Sequence, residues 1–252
     1  MNEAIMYAAG VGRRLNQHFG DIPKVLLEFG GRTVLERHVA HLAANGIRRL
    51  TLVTGFERHQ VAPWLKRLAD RYPVRLEEIV NPDYEEGSVL SFHVSLPFLE
   101  QLRDPVLLMD GDVLYPAAML GRLVASPHRS ALLVDRDYST ADDDPVLVPI
   151  RGGRPVDFVK GWTGQADEVG ESIGFFKVAP EDLPMLVEGT RRRVHGPGRA
   201  DSYDAVLREM VQAGHFGCED VTGMPWTELD FPGDVERAMR EVLPALDALE
   251  RS

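Results

Sequence analysis

Ala4-Ile5-Met6-Tyr7-Ala8-Ala9-Gly10-Val11-Gly12-Arg13-Arg14-Leu15, followed by Pro23-Lys24, is the stretch on which the reading of this chain rests. Its apolar run predicts a buried first strand, Glu3 to Ala8. The strand ends in small residues, then two glycines, then two arginines. Glycines after a strand let the backbone approach an anion closely, and N–H groups there can cradle phosphate. The arginines add fixed charge and a planar donor fork suited to phosphate oxygens. A plain glycine turn between strand and helix fits the same residues, so the remainder of the chain must supply what a nucleotide loop needs. Two familiar phosphate loops do not fit. The P-loop needs G-x-x-x-x-G-K-[ST], and the dinucleotide fingerprint needs a third glycine where this chain has Leu15.

The 252 residues suffice for one large α/β domain or two small ones, and for a substantial core. Acidic residues outnumber basic ones 39 to 28, a net charge of −11, which excludes a general nucleic-acid surface. A protein so acidic that handles phosphate must bring in cations locally, through a few Arg/Lys residues and a divalent metal. A single cysteine, Cys218, excludes an internal disulfide framework and fits a reducing compartment. No apolar run reaches the length of a membrane span, and no basic stretch precedes a hydrophobic segment at the N-terminus. The expectation is a cytoplasmic protein with no membrane or nucleic-acid partner. Oligomeric state is open, a homodimer included.

Outward from the first strand, strand-like and helix-like segments alternate. Thr33-Val34-Leu35-Glu36 has the pattern of a capping box, with Leu35, Val39 and Leu42 on one helical face. Arg49–Thr54 reads as a strand, His59–Arg71 as a helix, Arg75–Val80 as a strand and Val89–Leu102 as a helix. Pro105–Met109 is an apolar strand that runs into Asp110-Gly111-Asp112. Such alternation implies crossover units and a mainly parallel sheet.

Beyond Asp112 the texture becomes β-rich. Ser130–Val134, Val146–Ile150, Val156–Val159 and Ser172–Val178 read as strands, and Gly152-Gly153 signals a hairpin. Pro180–Val187 and Ser202–Ala213 read as helices. Arg191-Arg192-Arg193 and His195–Gly198 read as an exposed loop, and Asp142-Asp143-Asp144 as a solvated acidic one. Trp226–Phe231 is the last predicted strand and Val235–Leu249 the closing helix. The whole implies one α/β domain, residues 1–252, Rossmann-like, with a mostly parallel mixed sheet, helices on both faces and an inserted β-rich substrate region. Its two halves are residues 1–125 and 126–252.

In open α/β sheets ligands bind beyond the carboxyl ends of the strands. The Gly10–Arg14 loop, Asp110-Gly111-Asp112 and Asp135-Arg136-Asp137 all fall at such ends. Glu228 and Asp230 lie within the last predicted strand. A hard divalent cation wants carboxylate and phosphate oxygens together, and Mg²⁺ typically takes one or two carboxylates plus waters. Asp112 and Asp230 are the candidate ligands, with Asp110 and Glu228 as supporting partners. Each alone is equally a turn aspartate or surface acid; their coincidence with the glycine–arginine loop is the signal.

Ala8–Leu15 with Pro23-Lys24 resembles the L-A-A-G-x-G-x-R-L…P-K signature of the MobA-like and sugar-phosphate nucleotidyltransferases, with Tyr7 in place of the usual leucine. Gly111-Asp112 is similar to the family's metal-binding Gly-Asp. Trp226–Phe231 with Asp234 resembles its late strand bearing the second metal carboxylate. Lys160 resembles the lysine of its Glu-Lys-Pro segment, though the flanking residues differ. Asn81-Pro82-Asp83-Tyr84, leading to Gly87-Ser88-Val89-Leu90, resembles the base-pocket segment of the small cytidylyltransferases that act on phosphocholine, inositol phosphate or phosphonates. The sequence offers no clear aromatic cage for a quaternary ammonium; Trp162, Tyr138 and Trp226 are the residues that could contribute to one.

The resemblance implies a nucleotide-diphospho-sugar transferase fold and a Mg²⁺-dependent transfer of an NMP unit, with CTP as the expected donor. The acceptor is then a small phosphate or phosphonate monoester, and pyrophosphate is released. Arg14 and Lys24 are the implied catalytic residues. Ala8, Ala9, Gly10, Gly12, Arg13, Arg14, Gly87, Ser88 and Asp110 would contact the nucleotide. Asp135, Arg136, Lys160 and Glu171 would contact the acceptor, and Asp112 and Asp230 the metal. Two alternatives stand beside this one. The first is a sugar-1-phosphate or molybdopterin nucleotidyltransferase using another NTP; the second is a non-catalytic nucleotide-binding regulator.

Overall fold

The computed structural model describes residues 1–137 and 145–251; Tyr138 and the Asp142-Asp143-Asp144 run lie outside the described residues. In chain order the first elements are β1 (Glu3–Ala8), α1 (Arg13–Phe19), β2 (Glu28–Phe29), β3 (Arg32–Thr33), α2 (Val34–Ala44), β4 (Arg49–Thr54), α3 (Arg58–Arg71) and β5 (Arg75–Val80). Then come α4 (Val89–Leu99), β6 (Val106–Asp110), β7 (Val113–Leu114), α5 (Ala117–Ala125), β8 (Ser130–Asp135), β9 (Val146–Arg151), β10 (Arg154–Pro155), β11 (Val159–Lys160) and β12 (Glu168–Val178). The chain closes with α6 (Leu183–Val194), α7 (Asp204–Gln212), β13 (Phe216–Asp220), β14 (Thr227–Glu228), α8 (Pro232–Arg237) and α9 (Leu243–Arg251). This is the expected mixed α/β class with a mostly parallel central sheet. Among the described residues no helix is long and apolar enough to cross a membrane.

Two compact units, interleaved in sequence, make up the chain. The first comprises Met1–Glu85, Met109–Gly121 and Met224–Ser252. In it β1, β4 and β5 run parallel, Ala8 opposite Thr54 and Thr54 opposite Val80. Parallel strands covered on both faces need near-continuous apolar runs, and Ala4, Ile5, Met6, Leu50, Leu52 and Val53 are accordingly fully buried. Thr33 caps α2, its hydroxyl accepting the Glu36 N–H at 3.1 Å. Leu35, Val39 and Leu42 form the expected buried stripe, but Glu36, Arg37, His38 and His41 are buried on the same helix. Glu36 accepts bonds from Arg71 and Tyr72, and Arg37 donates to the Phe29 carbonyl at 2.7 Å. A second apolar cluster gathers Leu15, Leu27, Phe29, Leu114, Leu229, Val242 and Leu246 beneath the polar loops.

The second unit comprises Glu86–Leu108 and Arg122–Gly223. Here β12 pairs antiparallel with β8 and β9, while β13 joins β8 in parallel. Gly152-Gly153 turns β9 back into β10, as its hairpin signal predicts. Buried Asp182 ties β8, α6 and β13 together by accepting bonds from Arg129, Ser130 and His215.

Several boundaries differ from the sequence reading. α6 continues through Arg191, Arg192 and Arg193, so these are not a loop; each is ion-paired, to Glu100, Glu209 and Asp201 respectively. The strand expected at Val156–Val159 is Val159–Lys160, and the last strand shrinks to Thr227–Glu228. β13 had no counterpart in the sequence reading, because Phe216-Gly217-Cys218-Glu219-Asp220 carries no alternating pattern; its pairing with β8 creates it.

Candidate active site

Gly12 turns the corner between β1 and α1. Its φ of 65° is the left-handed conformation that suits glycine, and a Cβ there would sit 3.2 Å from the Lys24 side chain. The corner is stiffened by Asn16, whose amide donates to the Val11 carbonyl at 2.7 Å. Ala9 is buried and its carbonyl accepts the Phe56 N–H at 3.0 Å. Ala8, Gly10, Gly12, Lys24, Gly111 and Asp112 line one cleft of about 90 Å³, together with Tyr7 and Val25. At ~30 Å³ per water, that is room for about three waters or one phosphate group.

Lys24 is the centre of this cleft. Its ammonium lies 2.7 Å from Asp112 and also bonds Asp230, two carboxylates from distant parts of the chain. Burial opposes the Lys24 charge, but Asp112 and Asp230 outweigh it and hold the ammonium firmly protonated. Asp112 follows β6, and its carbonyl accepts the Leu229 N–H at 2.9 Å. That bond, with the β7–β14 pairing, sets Glu228 and Asp230 beside Asp112. Asp234 then fixes the turn, accepting the Asp230 and Phe231 N–H groups at 2.9 and 2.8 Å.

Asp112, Glu228 and Asp230 each bring a carboxylate oxygen within 4.8 Å of the others. Loss of hydration, then the charges of Asp112, Asp230 and Asp110, push the Glu228 carboxyl well above the ordinary range, against the pull of Lys24. Part of the Glu228 side chain still reaches solvent. Lys24 pairs with Asp112 and Asp230, so even without Glu228 the acids of this cluster outnumber its one ammonium. The donors are all hard carboxylate oxygens, the kind a hard divalent cation such as Mg²⁺ would take. Glu228 lies within the same 4.8 Å of the other two carboxylates as they do of each other, so it is a further candidate ligand beside Asp112 and Asp230. The sequence held the signal for it: Glu228 and Asp230 are two residues apart in a strand-like segment and share a face.

The other first-unit candidates sit as follows. Arg14 is exposed and its guanidinium lies over the Phe231 ring, 4.4 Å from the centroid. Arg13 is exposed and forms an open 3.4 Å pair with Glu85. Asp110 ends β6, and the following Gly111 N–H donates to the Tyr7 carbonyl at 3.1 Å.

In the second unit, Gly87 is buried where an added Cβ would come 2.5 Å from the backbone of Ala200 and Asp201. Only glycine allows that approach. Ser88 accepts the Tyr203 N–H at 3.1 Å and bonds Ser202, while Glu86 pairs with Arg199 at 2.8 Å. The segment resembling a base pocket is thus clamped onto residues 199–203. Asp135 and Glu171 are both buried and face each other in register across β8 and β12. Arg136 pairs with Glu168 at 2.9 Å and Asp220 at 3.2 Å. Lys160 is exposed on β11, opposite Val146 of β9.

The small cleft is thus walled by a glycine corner, a bridging lysine and a carboxylate cluster. Residues 4–170 match the MobA-like NTP transferase domain, and the chain belongs to that family. It is 31% identical over 255 residues to the CMP-5'-(3-aminopropyl)phosphonate synthase of Streptomyces rubellomurinus, across 93% of this chain and 38% of that protein. It is 27% identical over 241 residues to the bifunctional IPC transferase and DIPP synthase of Thermococcus kodakarensis, across 94% of this chain and 50% of that protein. The chain therefore spans between 38% and about half of the length of these relatives. The inositol-1-phosphate CTP transferase from T. maritima has the same fold, with a TM-score of 0.77 at 24% identity, over 98% of this chain and 96% of that one.

Proposed function

We propose that this chain is a cytidylyltransferase that moves CMP from CTP onto a small phosphate or phosphonate monoester. An acceptor oxygen forms a bond to the α-phosphorus, the bond from that phosphorus to the bridging oxygen of the β-phosphate breaks, and pyrophosphate leaves with the electron pair. An acceptor monoester is already anionic near neutral pH, so no protein nucleophile is needed and the task is alignment and charge neutralisation.

The observation that carries this reading is Lys24 bridging Asp112 and Asp230 at the edge of the Gly12 corner. Mg²⁺ held by Asp112 and Asp230, with Glu228 alongside, would supply charge neutralisation to the phosphates. The Gly10–Gly12 backbone holds the triphosphate, Lys24 offsets charge near the α-phosphate, and Arg14, braced on Phe231, meets the outer phosphates. Gly87 and Ser88 contact the base from their clamped loop. Asp135, Arg136, Lys160 and Glu171 contact the acceptor. The choice of CTP is supported by the CMP and CTP products and substrates in the names of the relatives.

A matrix of four NTPs against a panel of phosphate and phosphonate monoesters, scored by pyrophosphate release, tests the proposal. Turnover with CTP and at least one small monoester is expected. Preference for another NTP, or for sugar 1-phosphates, would replace the cytidylyl reading, and binding without turnover would replace the enzyme.

A further inference from the structure

His38 is fully buried in α2 and belongs to none of the roles above. Its Nε2 lies 3.2 Å from the Gly111 carbonyl and its Nδ1 3.1 Å from the Tyr115 hydroxyl. Burial, then neighbouring His41, push its imidazolium pKa down to about 3, so the ring is neutral and carries one N–H. A carbonyl oxygen can only accept, which puts that hydrogen on Nε2; Nδ1 therefore accepts the Tyr115 O–H. Burial also raises the Tyr115 pKa, which keeps that hydroxyl a donor. The two bonds together select one tautomer and aim it at one peptide.

That peptide is the link between Gly111 and Asp112. Its neighbour on the N-terminal side is held by the Gly111 N–H bond to Tyr7, and Asp112 itself by the Leu229 bond to its carbonyl. The orientation of this peptide sets the φ of Asp112, and with it the direction in which the Asp112 carboxylate leaves the backbone toward Asp230 and Glu228. Only His38 holds the carbonyl of this peptide among the hydrogen bonds described.

We infer that His38 is a positioning residue: by donating from Nε2 to Gly111 it locks the Asp112 carboxylate into the cation-binding arrangement, and so sets cation affinity without touching the cation. The inference rests on the metal reading of Asp112, Glu228 and Asp230. Residues that orient a ligand from behind typically change metal affinity by about 10- to 100-fold.

The test is Mn²⁺ binding to the full chain without nucleotide, by titration calorimetry or by the EPR signal of free Mn²⁺, alongside melting temperature. H38L is expected to weaken Mn²⁺ binding by about 10- to 100-fold. H38Q, whose amide can reach the Nε2 position, should regain most of it; H38N, whose amide stops short, should not. H41L removes a ring packed 4.9 Å from the same tyrosine and should leave affinity unchanged whatever it does to melting. Equal affinity in H38L and the unsubstituted chain, equal affinity in H38Q and H38N, or an H41L loss matching H38L would overturn the inference. Should H38L not fold, the H38Q–H38N pair decides. D112A separates the two levels: Mn²⁺ binding that survives D112A, or is absent from the unsubstituted chain, sinks the metal reading and this inference with it.

Discussion

The Lys24 ammonium stands 2.7 Å from an Asp112 carboxylate oxygen although 88 residues separate them, and the same ammonium reaches Asp230. One cation thus occupies the position between two acids where a divalent ion is proposed to bind. The pair is largely buried, so removing one member leaves charge that its neighbours must absorb.

D112N and D230N should each lower the rate of pyrophosphate release by about 100-fold or more, since a positioned charge in such a site is worth several kcal/mol. Far-UV circular dichroism should remain unchanged. E228Q distinguishes a third ligand from a bystander: a loss comparable to D230N assigns it to the cation, and near-normal rates remove it.

Chelation with EDTA should abolish turnover, and Mg²⁺ or Mn²⁺ should restore it. An all-oxygen donor set with two or three carboxylates suits those ions better than thiophilic ones. Full activity in metal-free buffer, checked by mass spectrometry of the metal content, would contradict the carboxylate assignment.

G12A places a side chain at φ 65° and 3.2 Å from Lys24. Backbone strain of about 1–2 kcal/mol and displacement of the lysine should lower both melting temperature and activity. G10A, at a position with open space around the added methyl, should cost less. Equal effects of the two on turnover would show that the corner does not govern Lys24.

In the second unit, G87A and R199A should disturb the clamp between residues 86–88 and 199–203. The expected signature is a raised KM for the nucleoside triphosphate with the acceptor KM unchanged. The reverse pattern would move this loop to the acceptor side.

Stability should fall in acid through α2. His38 and His41 are held below the ordinary histidine value by burial, His41 also by Arg37 and Arg32, with pKa values of about 3 and about 4. The unfolded chain takes up these protons near pH 6.5 and the folded one does not. The stabilising contribution is therefore complete above pH 6.5 and is lost as pH falls toward 4 and then 3. The slope is up to about 1.4 kcal/mol per pH unit for each histidine. Urea melts from pH 7 to 4.5 should show it, and H41L should flatten it.

The Gly10–Arg14 loop, Pro23-Lys24, the Gly111-Asp112 turn and the Thr33 cap were legible because each is a local rule of backbone or capping chemistry. The positions of Lys24, Asp112 and Asp230 relative to one another were not. They come together through β7–β14 pairing and the Leu229–Asp112 bond, which join residues more than a hundred positions apart. Arg191–Arg193 was misread because three consecutive arginines carry no apolar periodicity and look like a solvated charge run. In the fold Pro184 occupies the first turn of α6, where proline is tolerated, and Gly189 is buried against Val206 of α7. His38 drew no attention as a lone histidine on an apolar helix, since its two partners lie 73 and 77 residues away.

Leu229 is fully buried in the lower apolar cluster, while its neighbours Glu228 and Asp230 turn to the opposite side and meet Asp112. Chain length here is therefore as strictly constrained as chemistry. Deleting or inserting one residue just before Thr227 would invert the alternation, driving two carboxylates toward the greasy floor and lifting a leucine into the cleft. Insertions at this point should act by parity: one residue abolishes the site, while two restore the facing but shift it along the strand.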